Sequence, residues 1–193
     1  MTSFTEYELP VIFSHADAAR LGISDRQLYA SRDAGFIETL ARGIYMQAGL
    51  HGDLDLLEIA FRAPIATLCL STALARHGLT DDIPALINVA LPRDRRALRC
   101  SAPITWHRFD HETFDIDRTE VDVIPGYQIG LYGPKRCIID AFRLRHLYGT
   151  DPAISALRRW LRSPAAHPSD LLDIAQNFPV VEAPLHQALE FLL

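Results

Sequence analysis

The chain has 193 residues, of which 49% are hydrophobic, and a formal net charge of −5 at pH 7. This is enough apolar material for one domain, or for a small domain joined to a larger one. The negative charge argues against non-specific polyanion binding, but site-specific recognition of nucleic acid needs only a local basic patch. No apolar run reaches the ~18 residues of a membrane span, and the first ten residues lack a signal-peptide pattern, so we expect a cytoplasmic protein.

The basic residues are nearly all arginines, since Lys135 is the only lysine. Arginine suits bidentate contact with phosphate or guanine better than lysine does. The cysteines Cys69, Cys100 and Cys137 are far apart and form neither a CxxC pattern nor a disulfide framework. We therefore expect them to be core thiols.

The opening segment predicts two short helices joined by a tight turn. Ser14 stands three residues before Asp17, and Ser24 three residues before Gln27, so each helix begins with a capping box. Gly22 permits the turn between the two helices. The residues expected to pack the helices together are Ala18, Ala19, Leu21, Ile23 and Leu28. The pattern is typical of a helix-turn-helix.

The second helix, residues 25–34, is the one expected to enter a major groove. On its outer face Arg26 and Gln27 can read base edges, while Ser24 can hold a phosphate at the start of the helix. The full set of candidate DNA-contacting residues is Ser14, Ser24, Arg26, Gln27, Tyr29, Arg32, Arg42 and Gly43.

A hairpin follows the second helix, which ends at Gly35. Its sides are Phe36-Ile37 and Ile44-Tyr45, and its tip carries Arg42 and Gly43. Such a tip is typical of a wing whose arginine reaches the phosphate backbone or a minor groove. Residues 1–50 hold four arginines against six carboxylates, and this acidity leaves a packing or dimerisation role open as the alternative.

The run AGLHGD, residues 48–53, marks the predicted boundary between residues 1–50 and residues 51–193. Beyond it we expect a helix capped by Ser71 and ended by Gly78, strands at 85–91, 104–109, 119–124 and 127–132, and then helices. The first of the later helices is expected to span residues 134–148. Strands followed by helices predict an α+β fold, with a small sheet and C-terminal helices after the winged helix-turn-helix.

The loop PRDRRALR, between two predicted strands, concentrates positive charge. Its arginines form a candidate second nucleic-acid or partner surface, and the alternative is a solvated connection. They are Arg93, Arg95, Arg96 and Arg99. Further along, Asp140 is expected to pair with Arg143 on a helix surface, a contact worth only ~0.2–0.5 kcal/mol.

The run WHRFDHETFDID contains His107, Asp110 and His111, which are potential metal ligands. The alternative for this run is a solvated loop after a strand, and we favour it. A metal-dependent nuclease typically needs an acid-x-Lys sequence, which is absent, as are GxSxG and Walker spacing. The prediction is therefore of no catalytic residues, no metal and no cofactor.

The segment FSHADAARLGISDRQLYASRDAGFIETLARGIYMQ resembles the N-terminal winged helix of AbiEi-type antitoxins from type IV toxin-antitoxin systems. The runs LSTALARHGLTDDIP, INVALPRDRR, YGPKRCIIDAFRLRHLYGTDPAISALRRWL and DLLDIAQNF are similar to that family's C-terminal antitoxin domain. The resemblance covers roughly residues 11 to 190. Winged helices of this family usually begin with a further helix, for which only about ten residues are present here.

The resemblance implies DNA contacts by Ser24, Arg26, Gln27, Tyr29 and Arg42. It also implies signature positions of the antitoxin domain without a catalytic role, namely Ser71, His77, Gly78, Pro134, Asp140 and Arg143.

The implied function is an antitoxin that represses its own operon by binding operator DNA, as a homo-oligomer on two half-sites. It would counteract a nucleotidyltransferase-like toxin without needing a stable complex. The alternatives are a stand-alone winged-helix regulator and, from another class, a metal-dependent nuclease built on the His107 cluster.

Overall fold

The computed structural model describes residues 9–193 and has a mixed α+β architecture. The stretch considered for a signal peptide, and for an additional first helix, lies largely outside the described residues. Among the residues described, no helix is long and apolar enough to cross a bilayer.

The N-terminal unit, residues 9–50, contains a three-stranded antiparallel sheet of order β1-β3-β2 and two helices. Its elements are β1 (Ile12–Ser14), α1 (His15–Arg20), α2 (Asp25–Asp33), β2 (Ile37–Ala41) and β3 (Ile44–Gln47). Both predicted capping boxes are confirmed, because the Ser14 and Ser24 hydroxyls accept from the N3 backbone N–H while Asp17 and Gln27 accept from the cap N–H.

The turn glycines have the backbone conformation that their positions require. Gly22 and Gly35 follow α1 and α2 with φ of 78° and 77°. Residues with a Cβ rarely adopt this left-handed backbone region. Ala18, Ile23 and Leu28 are buried between the helices and the sheet. The expectation was wrong for Ala19 and Leu21, which face solvent on α1 and at its end.

The rest of the chain forms a mixed five-stranded sheet with helices packed against it. The strand order is β6-β5-β4-β8-β7, in which β5 and β6 are parallel, β4 and β8 are parallel, and the other neighbours are antiparallel. The strands are β4 (Thr67–Leu68), β5 (Ile87–Pro92), β6 (Ile104–Phe109), β7 (Arg118–Ile124) and β8 (Tyr127–Tyr132). The four strands predicted in this part correspond to β5, β6, β7 and β8.

Helices surround this sheet and continue to the end of the chain. They are α3 (Leu54–Arg62), α4 (Leu70–Arg76), α5 (His111–Phe114), α6 (Pro134–Arg143), α7 (Arg145–Tyr148), α8 (Asp151–Trp160), α9 (Pro168–Ala175) and α10 (Pro179–Leu192). The helix predicted over residues 134–148 is divided at Leu144, whose φ and ψ of −100° and 14° leave the helical region.

Two further local expectations are corrected by the packing. Ser71 does not cap α4, because the helix begins at Leu70, one residue before Ser71. Its N-cap is Cys69, which makes no side-chain capping bond. Cys69 and Cys137 are buried core thiols as predicted, while Cys100 is half-buried. Burial raises the pKa of all three thiols.

The N-terminal unit shares a hydrophobic cluster with the remainder of the chain. Leu57 of α3 is buried among Ile12, Ile44 and Met46 of the small sheet and Ile124 at the end of β7. Because apolar side chains from both sides of the predicted boundary fill one cluster, the small sheet is packed directly against α3 and β7.

Candidate nucleic-acid interface

The start of α2 and the hairpin tip are held together by one histidine. His15, the first residue of α1, places its Nε2 2.9 Å from an Asp25 carboxylate oxygen. Its backbone N–H donates to the Gly43 carbonyl, also at 2.9 Å. The two parts predicted to contact DNA are thus neighbours in space. His15 was not predicted from the sequence, because no local motif relates it to either partner.

Two of the four arginines in the N-terminal unit are already paired with carboxylates. Arg20 contacts Asp17 at 2.6 Å and Arg32 contacts Asp33 at 2.8 Å. The Arg32 guanidinium also lies over the Tyr29 ring, 5.1 Å from its centroid. Each pair neutralises one arginine and one carboxylate, and residues 9–50 hold four of each.

Arg26 and Arg42 are the other two arginines of the unit, and both are exposed. Within residues 9–193 neither forms an ion pair with a carboxylate. Arg26 stands in the first turn of α2, and Arg42 at the tip between β2 and β3. They are therefore the cations of this unit most available to an anionic ligand.

The cap of α2 constrains what Ser24 and Gln27 can do. The Gln27 Oε1 accepts from the Ser24 N–H at 2.9 Å and from its hydroxyl at 2.7 Å. That oxygen already accepts two hydrogen bonds at the cap. The Gln27 Nε2 amide is therefore the group of this side chain that could donate to an acceptor on a base. The Ser14 hydroxyl is engaged in the same way, since it donates to the Asp17 carboxylate at 2.6 Å.

The arginine loop, residues 93–99, connects β5 to β6, and its four arginines are exposed. Arg93 pairs with Asp110 at 3.0 Å, and Arg95 approaches its neighbour Asp94 at 3.9 Å. Arg96 and Arg99 have no carboxylate partner within residues 9–193. The loop therefore retains a net positive charge.

Asp140 belongs to a buried ionic cluster rather than to a helix surface. Asp140 and Arg136 are completely buried, and the Asp140 oxygens accept from Arg136 Nε and Arg143 Nε, both at 3.0 Å. The expected pairing of Asp140 with Arg143 is confirmed, but the expected surface position was wrong, because Asp140 is buried. Burial raises the pKa of the Asp140 carboxyl above its ordinary value, and the two guanidiniums oppose that rise.

Aromatic rings enclose the buried guanidinium of Arg136. Its carbon lies 4.4 Å from the Tyr132 ring centroid, 4.7 Å from that of Phe178 and 5.5 Å from that of Phe109. The Nη1 group also donates to the carbonyls of Thr113 and Ile116. Stacking and hydrogen bonds stabilise the positive charge of Arg136, which is consistent with a structural role for this residue in the core.

His77, Gly78 and Pro134, which the sequence resemblance singled out, also have local structural roles. His77 Nε2 lies 2.7 Å from the Tyr132 carbonyl, Gly78 follows α4 with φ of 66°, and Pro134 opens α6.

The residues considered as potential metal ligands make separate contacts. His107 Nε2 lies 2.8 Å from the Asn88 amide oxygen, Asp110 pairs with Arg93, and His111 is exposed on α5. Across residues 9–193 no group of three or more histidine, cysteine or acidic side chains is placed to hold a metal ion.

A polar chain from Ser71 to His107 lies beside a cavity of about 510 Å³, which Ser71 and Asn88 help to line. Asn88 Nδ2 donates to the Ser71 hydroxyl oxygen at 2.8 Å, and Asn88 Oδ1 faces His107. Burial lowers the pKa of His107. An amide separates the hydroxyl from the imidazole, so the arrangement differs from a Ser-His-acid triad, in which the base contacts the nucleophile directly.

Neither a scan against protein-family models nor a search of curated proteins found a match for this chain.

Proposed function

We propose that residues 9–50 form a winged helix-turn-helix that binds DNA, with α2 in the major groove and the β2–β3 tip as the wing. Support comes from two separately capped helices joined by a glycine turn and followed by an antiparallel hairpin. His15 contacts both the start of α2 and the hairpin tip, so one rigid connection would set the distance between a groove contact and a backbone contact.

The observation that carries this proposal is the position of the two available arginines. Arg26 and Arg42 are exposed, lack carboxylate partners among the described residues, and stand at the two points that would meet DNA. An arginine at the start of a groove helix can contact guanine O6 and N7, whereas an arginine on a wing contacts phosphates or a minor groove.

If two such units bind two half-sites of an operator, the protein would repress its own operon. The resemblance of residues 11–190 to AbiEi-type antitoxins extends the proposal to a type IV toxin-antitoxin system, in which the protein counteracts a nucleotidyltransferase-like toxin. The buried Arg136–Asp140–Arg143 cluster is compatible with this role, because a structural role in the core accounts for it and no catalytic role is needed.

DNA binding is tested by titrating the purified protein with the DNA upstream of its own gene, over a series of salt concentrations. Scrambled DNA of equal length is the control. A tenfold or greater preference for the upstream DNA, with a clear salt dependence, would support sequence-specific binding to an operator. Equal and weak binding to both duplexes would contradict it and favour a packing or dimerisation unit.

The antitoxin part is tested separately. The proposal requires a neighbouring nucleotidyltransferase gene whose expression arrests growth, and co-expression of this protein should restore growth. If no such gene adjoins it, or if growth stays arrested with the protein well expressed, the antitoxin role is wrong while DNA binding can still stand.

A further inference from the structure

One buried carboxylate links the hairpin tip to the arginine loop. Glu58 on α3 is only 2% exposed, and both of its oxygens are engaged. Its Oε1 accepts from Arg62 Nε at 2.7 Å, and its Oε2 accepts from the Ser101 N–H at 2.8 Å. Arg62 Nη2 in turn donates to the carbonyl of Arg42 at 3.3 Å.

These bonds place the end of the arginine loop beside the hairpin tip. Ser101, two residues after Arg99, and Arg42 at the tip are bonded through their backbones to the same Glu58–Arg62 pair. With His15 on the other side of the tip, a continuous series of contacts runs from the start of α2 through the tip to the loop.

The arginines along this series of contacts have different roles. Arg62 is neutralised by the buried Glu58, so it serves to position the tip rather than to contact a ligand. Arg42, Arg96 and Arg99 are exposed and lack carboxylate partners among residues 9–193. An ion pair with a buried carboxylate therefore holds the backbone of Arg42 and that of Ser101, which follows Arg99 by two residues.

The chemistry of the loop favours a polyanion over a protein surface. Leu98, 39% exposed, is the loop's one large exposed hydrophobic side chain, and Asp94 its one carboxylate. The hot spots of protein interfaces are enriched in tryptophan and tyrosine as well as arginine, and residues 93–99 contain no aromatic residue. Guanidinium groups instead match phosphate oxygens bidentately, and arginines in a row suit the regular spacing of phosphates along a strand.

We infer that the arginine loop extends the DNA contact of the hairpin tip along the phosphate backbone, with Glu58 as the positioning residue between them. This inference rests on the proposed DNA binding of the N-terminal unit. It assigns Arg96 and Arg99 to backbone contacts, which add affinity and length to the contact without reading sequence.

The test compares the wild type with Arg96→Gln/Arg99→Gln on the upstream duplex, by salt-series titration and hydroxyl-radical footprinting. Each phosphate contact removed should reduce the magnitude of the slope of log K against log salt by about 0.9, so the double variant should lose about 1.8. The variant should also lose protection at one edge of the footprint while keeping its preference for upstream over scrambled DNA. Arg158→Gln/Arg162→Gln is the control matched in charge, because both arginines are exposed on or just after α8 and take no part in the Glu58 contacts.

The outcomes separate the inference from the function on which it rests. If the wild type binds upstream DNA and the double variant keeps the same slope and footprint, the inference is overturned and a partner surface becomes the better account of the loop. An equal change in Arg158→Gln/Arg162→Gln would also overturn it, since the effect would then be one of net charge. If the wild type shows no binding, the proposed function itself fails and the inference fails with it.

Discussion

The hydroxyl of Tyr127 makes two hydrogen bonds to the backbone of Ile12. It accepts from the Ile12 N–H at 3.1 Å and donates to the Ile12 carbonyl at 3.2 Å. Ile12 belongs to β1, an edge strand of the small sheet, and Tyr127 opens β8 of the large one. One side chain thus satisfies backbone groups that an edge strand would otherwise leave unpaired, and it joins the two sheets.

Tyr127→Phe should lower the free energy of unfolding by about 1–3 kcal/mol, because a donor and an acceptor on β1 lose their partner in a partly buried place. Urea denaturation of the full chain measures this. Tyr148→Phe is the control, since Tyr148 is 53% exposed at the end of α7. Equal midpoints for Tyr127→Phe and wild type would show that water replaces the hydroxyl without cost.

Features encoded within a few neighbouring residues could be predicted from the sequence. The capping boxes depend on spacings of three residues, and the hairpin on alternating residues around a glycine, so both are visible in the printed chain. The mixed order of the five strands was not predictable in this way, because a sheet is assembled from pairings between distant segments.

The contacts that assemble the candidate interface also escaped prediction. Tyr127 and Ile12 are 115 residues apart, and Glu58 and Ser101 are 43 residues apart. Arg136 was missed for another reason. A charged residue in a helix normally indicates a solvated face, whereas here three aromatic rings and two backbone carbonyls make its burial favourable.

Arg26→Ala and Arg42→Ala should weaken DNA binding in different ways. Removing a base contact at Arg26 should cost about 1–3 kcal/mol on the upstream duplex and relax sequence preference. Removing a phosphate contact at Arg42 should weaken binding to all sequences and reduce the salt slope by about 1. Titrations against upstream and scrambled duplexes measure both effects. If the two variants behave alike on every sequence, neither arginine reads bases.

Ser24→Ala should destabilise the chain by about 1 kcal/mol, because α2 loses the side-chain acceptor for its N3 backbone N–H. Thermal unfolding followed by circular dichroism is a suitable measurement. Ser24→Asp, which preserves a capping oxygen, should retain most of the wild-type stability. If Ser24→Asp were as unstable as Ser24→Ala, the capping bond would not be the source of the effect.

Asp140→Asn should be strongly destabilising, by about 3–5 kcal/mol, because it leaves the buried Arg136 guanidinium without its anion. Asp170→Asn is the matched control. Asp170 pairs with Lys135 at 3.6 Å with half of its side chain exposed, and such surface pairs contribute about 0–1 kcal/mol. Urea midpoints for the two variants should therefore differ widely. Similar midpoints would show that the buried cluster tolerates a neutral centre.

Asp17 should make stability dependent on pH in the acid range. The bond from the Ser14 hydroxyl, and then that from the Ser14 N–H, hold the pKa of Asp17 below its ordinary value of 3.8. Because the pKa is lower in the folded chain, the ionised carboxylate stabilises the fold above pH 3.8, and this contribution is lost as pH falls through the lowered pKa. We expect the difference in unfolding free energy between wild type and Asp17→Asn to be constant near neutrality and to shrink in acid. Urea titrations at a series of pH values measure that difference, in which the other carboxylates cancel. A difference that widens as the pH falls would mean that the Ser14 bonds favour the protonated carboxyl instead.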